Sequence, residues 1–202
     1  LRSGDIEINP GPELFKNISL CHWNLNSISV YSFIKKDLLV AFNSIHNFDL
    51  ICISETYLDS SYSLDDQNLH IDNYTLIRAD HPMDIKQGGV CIYYRSNLPI
   101  RYSSVTNLRE CIVLEMDYDG KKIFFLSLYR SPSQSHEEFD IFLQNFESDL
   151  DYISNQNPFL VTIVGDFNAK SSNWWQSDST THEVLQIDSL TSYYGFHQLI
   201  SE

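Results

Sequence analysis

Apolar runs of strand length alternate with helix-period stretches along most of the chain. Residues 18–24 read as a strand, and Val30, Phe33, Ile34, Leu38, Phe42 and Ile45 recur at helical spacing. Residues 49–54 are almost continuously apolar, the mark of a strand buried on both faces. The polar stretch 57–73 predicts loop, and Gly88-Gly89 opens a strand over 90–95. Strands over 111–118 and 122–129 flank Asp119-Gly120, a two-residue hairpin signal. Ser135 followed by Glu138 forms a capping box, and Phe139, Phe142, Leu143, Phe146, Leu150 and Ile153 make one apolar helical stripe. Pro158 closes that helix before a strand over 159–164. Thr180 and Glu183 predict a second capping box, on a helix that runs through Leu190 and is stopped by Gly195. A last strand is predicted to begin at 196–200. This alternation predicts a layered α/β fold.

Residues 1–12 do not fit the alternation. Asn9-Pro10-Gly11-Pro12 can continue neither helix nor sheet, so this segment reads as a tail and 13–202 as the domain. The chain stops inside a newly started apolar segment, which predicts a domain cut short at its C-terminal end.

Composition narrows the function. Hydrophobic residues at 43% and charged residues at 20% exclude a disordered chain. Thirteen basic against 27 acidic residues give a net charge of −14, which excludes generic phosphate binding by clustered Lys and Arg. A phosphate substrate would need a cation held by carboxylates. The cysteines Cys21, Cys52, Cys91 and Cys111 lie far apart in apolar runs, so they read as buried hydrophobes in a reducing compartment and not as a zinc site or disulfide framework. No apolar run approaches the roughly 20 residues of a membrane span, and the chain is expected to be soluble and without a membrane partner.

Candidate chemistry lies where polar residues end the strands. Asn24 ends the first, Glu55 the second and Tyr129 the hairpin's second strand, while Asp166 and Asn168 follow the strand over 159–164. In layered α/β folds, ligands collect at strand ends. Glu55 and Asp166 are hard oxygen ligands suited to Mg²⁺ or Mn²⁺. Singly, each residue also reads as ordinary: a first loop residue, an Asx-turn, a half-buried strand tyrosine. Together, the same placement on four strands favours a site.

Trp23-Asn24, Ser54-Glu55-Thr56, Gly88-Gly89-Val90-Cys91-Ile92, Leu128-Tyr129-Arg130-Ser131-Pro132 and Gly165-Asp166-Phe167-Asn168 resemble the endonuclease/exonuclease/phosphatase family. Within it the chain is similar to apurinic-type endonuclease domains of non-LTR (LINE-like) retrotransposon proteins. The resemblance implies a DNase I-like fold, two mixed sheets facing each other with helices outside, and Mg²⁺-dependent (or Mn²⁺-dependent) nicking of DNA, whose 3′-hydroxyl primes reverse transcription. It implies that Glu55 binds metal and that Asn24 lies beside metal and phosphate. Tyr129 would hydrogen-bond the scissile phosphate, Asp166 orient the attacking water and Asn168 stabilise the transition state. It makes Arg130 a candidate substrate contact, and Trp175 a DNA contact or a packing residue like Trp174. A downstream reverse transcriptase domain and a nuclear location are implied.

The family's later motifs, an Asp on a following strand and a C-terminal His, fall outside this sequence, which predicts weak or absent activity for the chain. His22, His136, His182 and His197 read as structural or solvated. Two alternatives stand beside the nuclease: a phosphoesterase of the same family acting on abasic sites or inositol phosphates, and an inert fragment or interaction module. In the tail, Asp5-Ile6-Glu7-Ile8-Asn9-Pro10-Gly11-Pro12 resembles the 2A ribosome-skipping peptide, which implies that translation fails to join Gly11 to Pro12. Oligomeric state is not legible.

Overall fold

Two βαβ units organise the molecule. In the first, β1 (Leu20–Asn24) runs through α1 (Phe33–His46) into β2 (Leu50–Ser54), and the two strands pair in parallel with Asn24 opposite Ser54. In the second, β7 (Lys121–Tyr129) runs through α2 (His136–Asn155) into β8 (Leu160–Asp166), again parallel, with Tyr129 opposite Asp166. Antiparallel strands β3 (Tyr74–Ala79) and β4 (Val90–Arg95) complete the first sheet in the order β1-β2-β4-β3. With β5 (Ile100–Ser103) and β6 (Cys111–Tyr118), the second sheet has the order β5-β6-β7-β8. A third helix, α3 (His182–Tyr193), follows. The computed structural model describes residues 18–28, 33–63, 66–103, 106–169 and 180–199. The predicted tail, with Gly11 and Pro12, and both Trp174 and Trp175 lie outside the described residues.

The sheets face each other through a shared apolar layer. Leu20, Leu50, Cys52 and Ile92 meet Leu114, Met116, Ile123 and Phe125 there. Alternate residues of the same strands point outward: Cys21, Ile51 and Tyr93 pack with Leu39 and Phe48 under α1, and Phe124, Leu126 and Leu128 pack under α2 and α3. This period-two division yields the expected two-sheet sandwich flanked by helices.

Local signals explain most element ends. Asp119 and Gly120 both take positive φ (54° and 71°), as a tight two-residue hairpin turn requires. Ser135 and Glu138 form the predicted reciprocal box: the Ser135 hydroxyl accepts from the Glu138 N–H, and the Glu138 carboxylate accepts from the Ser135 N–H at 2.8 Å. Gly195, at φ 76°, ends α3 as expected.

Three expectations are corrected. The N-cap of α3 is Thr181, which makes no side-chain cap bond, so Glu183 falls one position short of where a Thr180–Glu183 box needs it. Residues 196–199 are not a strand, because no described strand lies beside them to complete a ladder; Phe196 instead packs against the outer core of the second sheet. Strands β3 and β5 form where no strand was read. No helix among the described residues is long and apolar enough to cross a membrane.

Candidate active site

The interior layer changes character along its length. At one end it is aliphatic, but toward the carboxyl ends of β1, β2, β7 and β8 the inward positions become His22, Ser54, Ser127 and finally Asn24, Tyr129 and Asp166. Both parallel pairs end at the same rim. Register therefore brings together residues that the sequence scatters over more than half its length.

The Asn24 amide nitrogen donates to Glu55 Oε1 and to Asp166 Oδ2, at 2.9 Å each. Its oxygen accepts the Asn26 N–H at 3.0 Å, which fixes the amide so that nitrogen, not oxygen, faces the carboxylates. Asn24 thus stands as the donor between two acids. The Tyr57 hydroxyl donates to the other Glu55 oxygen at 3.1 Å. Beyond Asp166, the Asn168 N–H donates to Asp166 Oδ1 at 2.9 Å, and the Asn168 side-chain amide donates to the Arg130 carbonyl at 2.7 Å, leaving its second N–H unspent on that bond.

Glu55 and Tyr57 both take left-handed backbone (φ 54° and 56°), a conformation that costs a non-glycine residue about 1 kcal/mol or more. Continuing backbone bonds hold it: Ser27 N–H to the Glu55 carbonyl at 2.7 Å, and Ile28 N–H to that of Thr56 at 2.9 Å. Gly165 adopts φ 149° with β8 so close to β7 that a Cβ there would lie 2.0 Å from the Leu128 carbonyl oxygen. Only glycine permits the approach that sets Asp166 beside Tyr129.

Electrostatics follow from this crowding. Burial, then the negative charge of Glu55 and Asp166, push the Tyr129 phenol far above its ordinary range, so it is an O–H donor at any working pH. Burial also lowers His22, to about 4, against the opposing pull of Asp166. His22 is neutral there, and its Nε2 has no partner among the described residues.

Arg130 is bonded largely to backbone. It is only 4% exposed, its Nε donates to the Phe167 carbonyl at 2.5 Å and a terminal nitrogen to the Asn168 carbonyl at 2.6 Å, and its guanidinium lies over the Phe139 ring. Two of its donors hold the 167–168 backbone, and the third nitrogen lies 3.4 Å from the Ser131 carbonyl and the Gln134 side-chain oxygen. Two residues that were not read from the sequence line the site, Tyr57 and Glu110. Tyr57 lies two residues past a recognised carboxylate, while Glu110 had only its place just before a strand to mark it.

No group of three or more His, Cys, Asp or Glu among the described residues is disposed to hold a metal ion. Two carboxylates converging on a single amide donor still fit a hard dication of the Mg²⁺ kind, which takes one or two protein carboxylates and completes its shell with water and phosphate oxygens.

Comparison with known proteins agrees with this fold. The endonuclease domain of TRAS1, a telomere-specific non-LTR retrotransposon, superposes with a TM-score of 0.67 at 15% identity, covering 91% of this chain and 73% of that one. The AP endonuclease LMAP from Leishmania major gives 0.65 at 14% identity, covering 87% and 66%. An AP endonuclease from Archaeoglobus fulgidus gives 0.59 at 13%, covering 87% and 70%. No curated protein matches the chain. The family model for the Endonuclease/Exonuclease/phosphatase family matches residues 21–197, nearly the whole described domain. By that match the chain belongs to the Endonuclease/Exonuclease/phosphatase family.

Proposed function

We propose that this chain is the endonuclease domain of a LINE-like retrotransposon protein and hydrolyses DNA phosphodiester bonds, nicking a target to prime integration. One observation carries the reading: the Asn24 amide joins Glu55 and Asp166 across the two sheets, with Tyr129 directly opposite Asp166. Hydrolysis of a phosphodiester needs an aligned water, a proton acceptor and donors for the developing oxygen charge. Asp166 supplies the acceptor and is held by the Asn168 N–H. Tyr129 and the remaining Asn168 N–H supply donors toward the phosphate. A divalent cation, Mg²⁺ or Mn²⁺, would be held by Glu55 and would neutralise the phosphate charge that a −14 chain cannot. Asn24 keeps the two carboxylates apart and aimed.

The retrotransposon context rests on the motif resemblance and on the fold shared with the TRAS1 domain. A reverse transcriptase downstream, a nuclear site of action and skipping at Gly11 and Pro12 belong to the same proposal. The test is supercoiled plasmid in Mg²⁺, with an abasic oligonucleotide and an inositol phosphate in parallel. EDTA-sensitive nicking that disappears in Glu55→Ala supports the endonuclease. Turnover of only the other two substrates replaces it with a different phosphoesterase, and no turnover of any, by this chain or by one extended past Glu202, leaves an inert module.

A further inference from the structure

Glu110 sits immediately before β6, half-buried at the same rim, and it bonds in two directions. Its Oε1 accepts the Gly89 N–H at 2.5 Å, from the first sheet. Its main-chain oxygen accepts the Tyr129 N–H at 2.9 Å, within the second. From the glycines the path continues toward Glu55, because the Gly88 carbonyl accepts the Tyr57 N–H at 3.0 Å and the Gly89 carbonyl accepts the Thr56 N–H at 3.2 Å. Side chains crowd the two glycines. A Cβ on Gly88 would lie 2.1 Å from Glu110 Oε1 and 3.0 Å from the Tyr129 ring, and one on Gly89 would lie 2.5 Å from the Thr56 hydroxyl. The Gly88-Gly89 pair is therefore the thin layer that lets one carboxylate reach across the sandwich.

We infer that Glu110 is a positioning residue, a cross-sheet clamp that sets the spacing between Glu55 on one sheet and Tyr129 on the other. The catalytic part of this inference rests on the phosphodiesterase reading; the clamp itself does not. What the clamp needs is an acceptor oxygen at that point, not a negative charge, and burial pushes the Glu110 carboxyl above its usual range, which makes the site costly for charge. Glutamine supplies the same acceptor, and alanine removes it.

Parent protein, Glu110→Ala and Glu110→Gln are compared by plasmid nicking in Mg²⁺ and by NMR hydrogen exchange at the Gly89 amide, which requires no activity. In Glu110→Ala, loss of alignment should lower kcat by about 100-fold with KM within about threefold. The Gly89 amide should exchange about tenfold faster. Glu110→Gln should recover both to within about threefold of the parent. Should Glu110→Ala not fold, Gly88→Ala serves in its place, since its methyl displaces the Glu110 carboxylate from the Gly89 N–H; the Gly89 amide should then exchange about tenfold faster, and unchanged exchange there overturns the clamp. Unchanged Gly89 exchange in the alanine variant, or a glutamine variant as slow as alanine, overturns the clamp. A parent that nicks nothing while the exchange pattern holds leaves the clamp standing, and the nuclease reading then falls only if a chain extended past Glu202 through the later Asp and His motifs also nicks nothing.

Discussion

Asn24 and Asp166, 142 positions apart, share a 2.9 Å hydrogen bond from the amide nitrogen of one to the carboxylate of the other. The same nitrogen holds Glu55, so a single neutral side chain sits between two acids drawn from different sheets. Asn24→Asp replaces a donor with a third negative charge, and Asn24→Ala only deletes it. Nicking rates should fall in both, by about 100-fold or more in the alanine variant and further in the aspartate variant. Equal activity in parent and Asn24→Asp would remove Asn24 from the site.

Tyr129→Phe tests the phenol alone. The ring stays to pack, and only the O–H is lost, so thermal stability should change little. If that O–H faces the phosphate, kcat should drop by about 10- to 100-fold. Because burial and the neighbouring carboxylates raise the phenol, the parent's pH–rate profile should show no limb from Tyr129 up to pH 10. A parent profile that falls near pH 10, with the fall absent in the phenylalanine variant, would contradict this placement.

Two glycines with positive φ should respond very differently to alanine. At Gly120 nothing lies within 4 Å of the added methyl, so the cost is backbone strain alone, about 1 kcal/mol. At Gly165 the methyl meets the Leu128 carbonyl, forcing β8 off β7 at a cost of about 3 kcal/mol or more. Paired thermal or urea melts decide this, and similar losses at both positions would show that β8 has room to shift.

His22 makes stability depend on pH. Its folded pKa of about 4 lies below the ordinary 6.5, so from pH 6.5 downward the unfolded chain binds a proton that the folded one refuses. The contribution is flat above pH 6.5, declines as pH falls, and levels near pH 4 after a loss of up to about 3 kcal/mol. Urea melts of the metal-free protein from pH 7 to 4, with His22→Gln alongside, should show a steeper decline in the parent. Parallel declines would mean that His22 is protonated without penalty.

Much of the frame was legible because local chemistry fixes it. The Asp119-Gly120 turn, the Ser135–Glu138 cap and the apolar run of β2 each carry their cause within a few residues. β3 escaped because Thr75 to Ala79 are only partly buried and show no clean alternation; Arg78, in its middle, spends its guanidinium on the Asp59 and Tyr62 carbonyls. β5 is four residues long and borrows its partner from β6. At the site, strand ends marked Asn24, Glu55, Tyr129 and Asp166, because a polar residue closing an apolar run is visible in one dimension. Glu110 and Tyr57 were invisible for the opposite reason. Their roles come from what lies across a sheet or around a left-handed turn. Arg130's place in the structure was equally invisible, because its bonds to the Phe167 and Asn168 carbonyls come from across the β7–β8 pair.

The grading of the sandwich interior, aliphatic around Met116 and Ile123 and polar around His22 and Asn24, separates two demands that usually compete. Within that interior the apolar contacts gather away from the rim, and the unpartnered polar atoms of His22, Ser54 and Ser127 lie toward it. Selection or an engineer could repack the greasy end, around Met116 or Leu160, and leave the reactive end untouched. Tolerance to substitution should therefore be lopsided, with robustness at one pole of the molecule and fragility of function at the other.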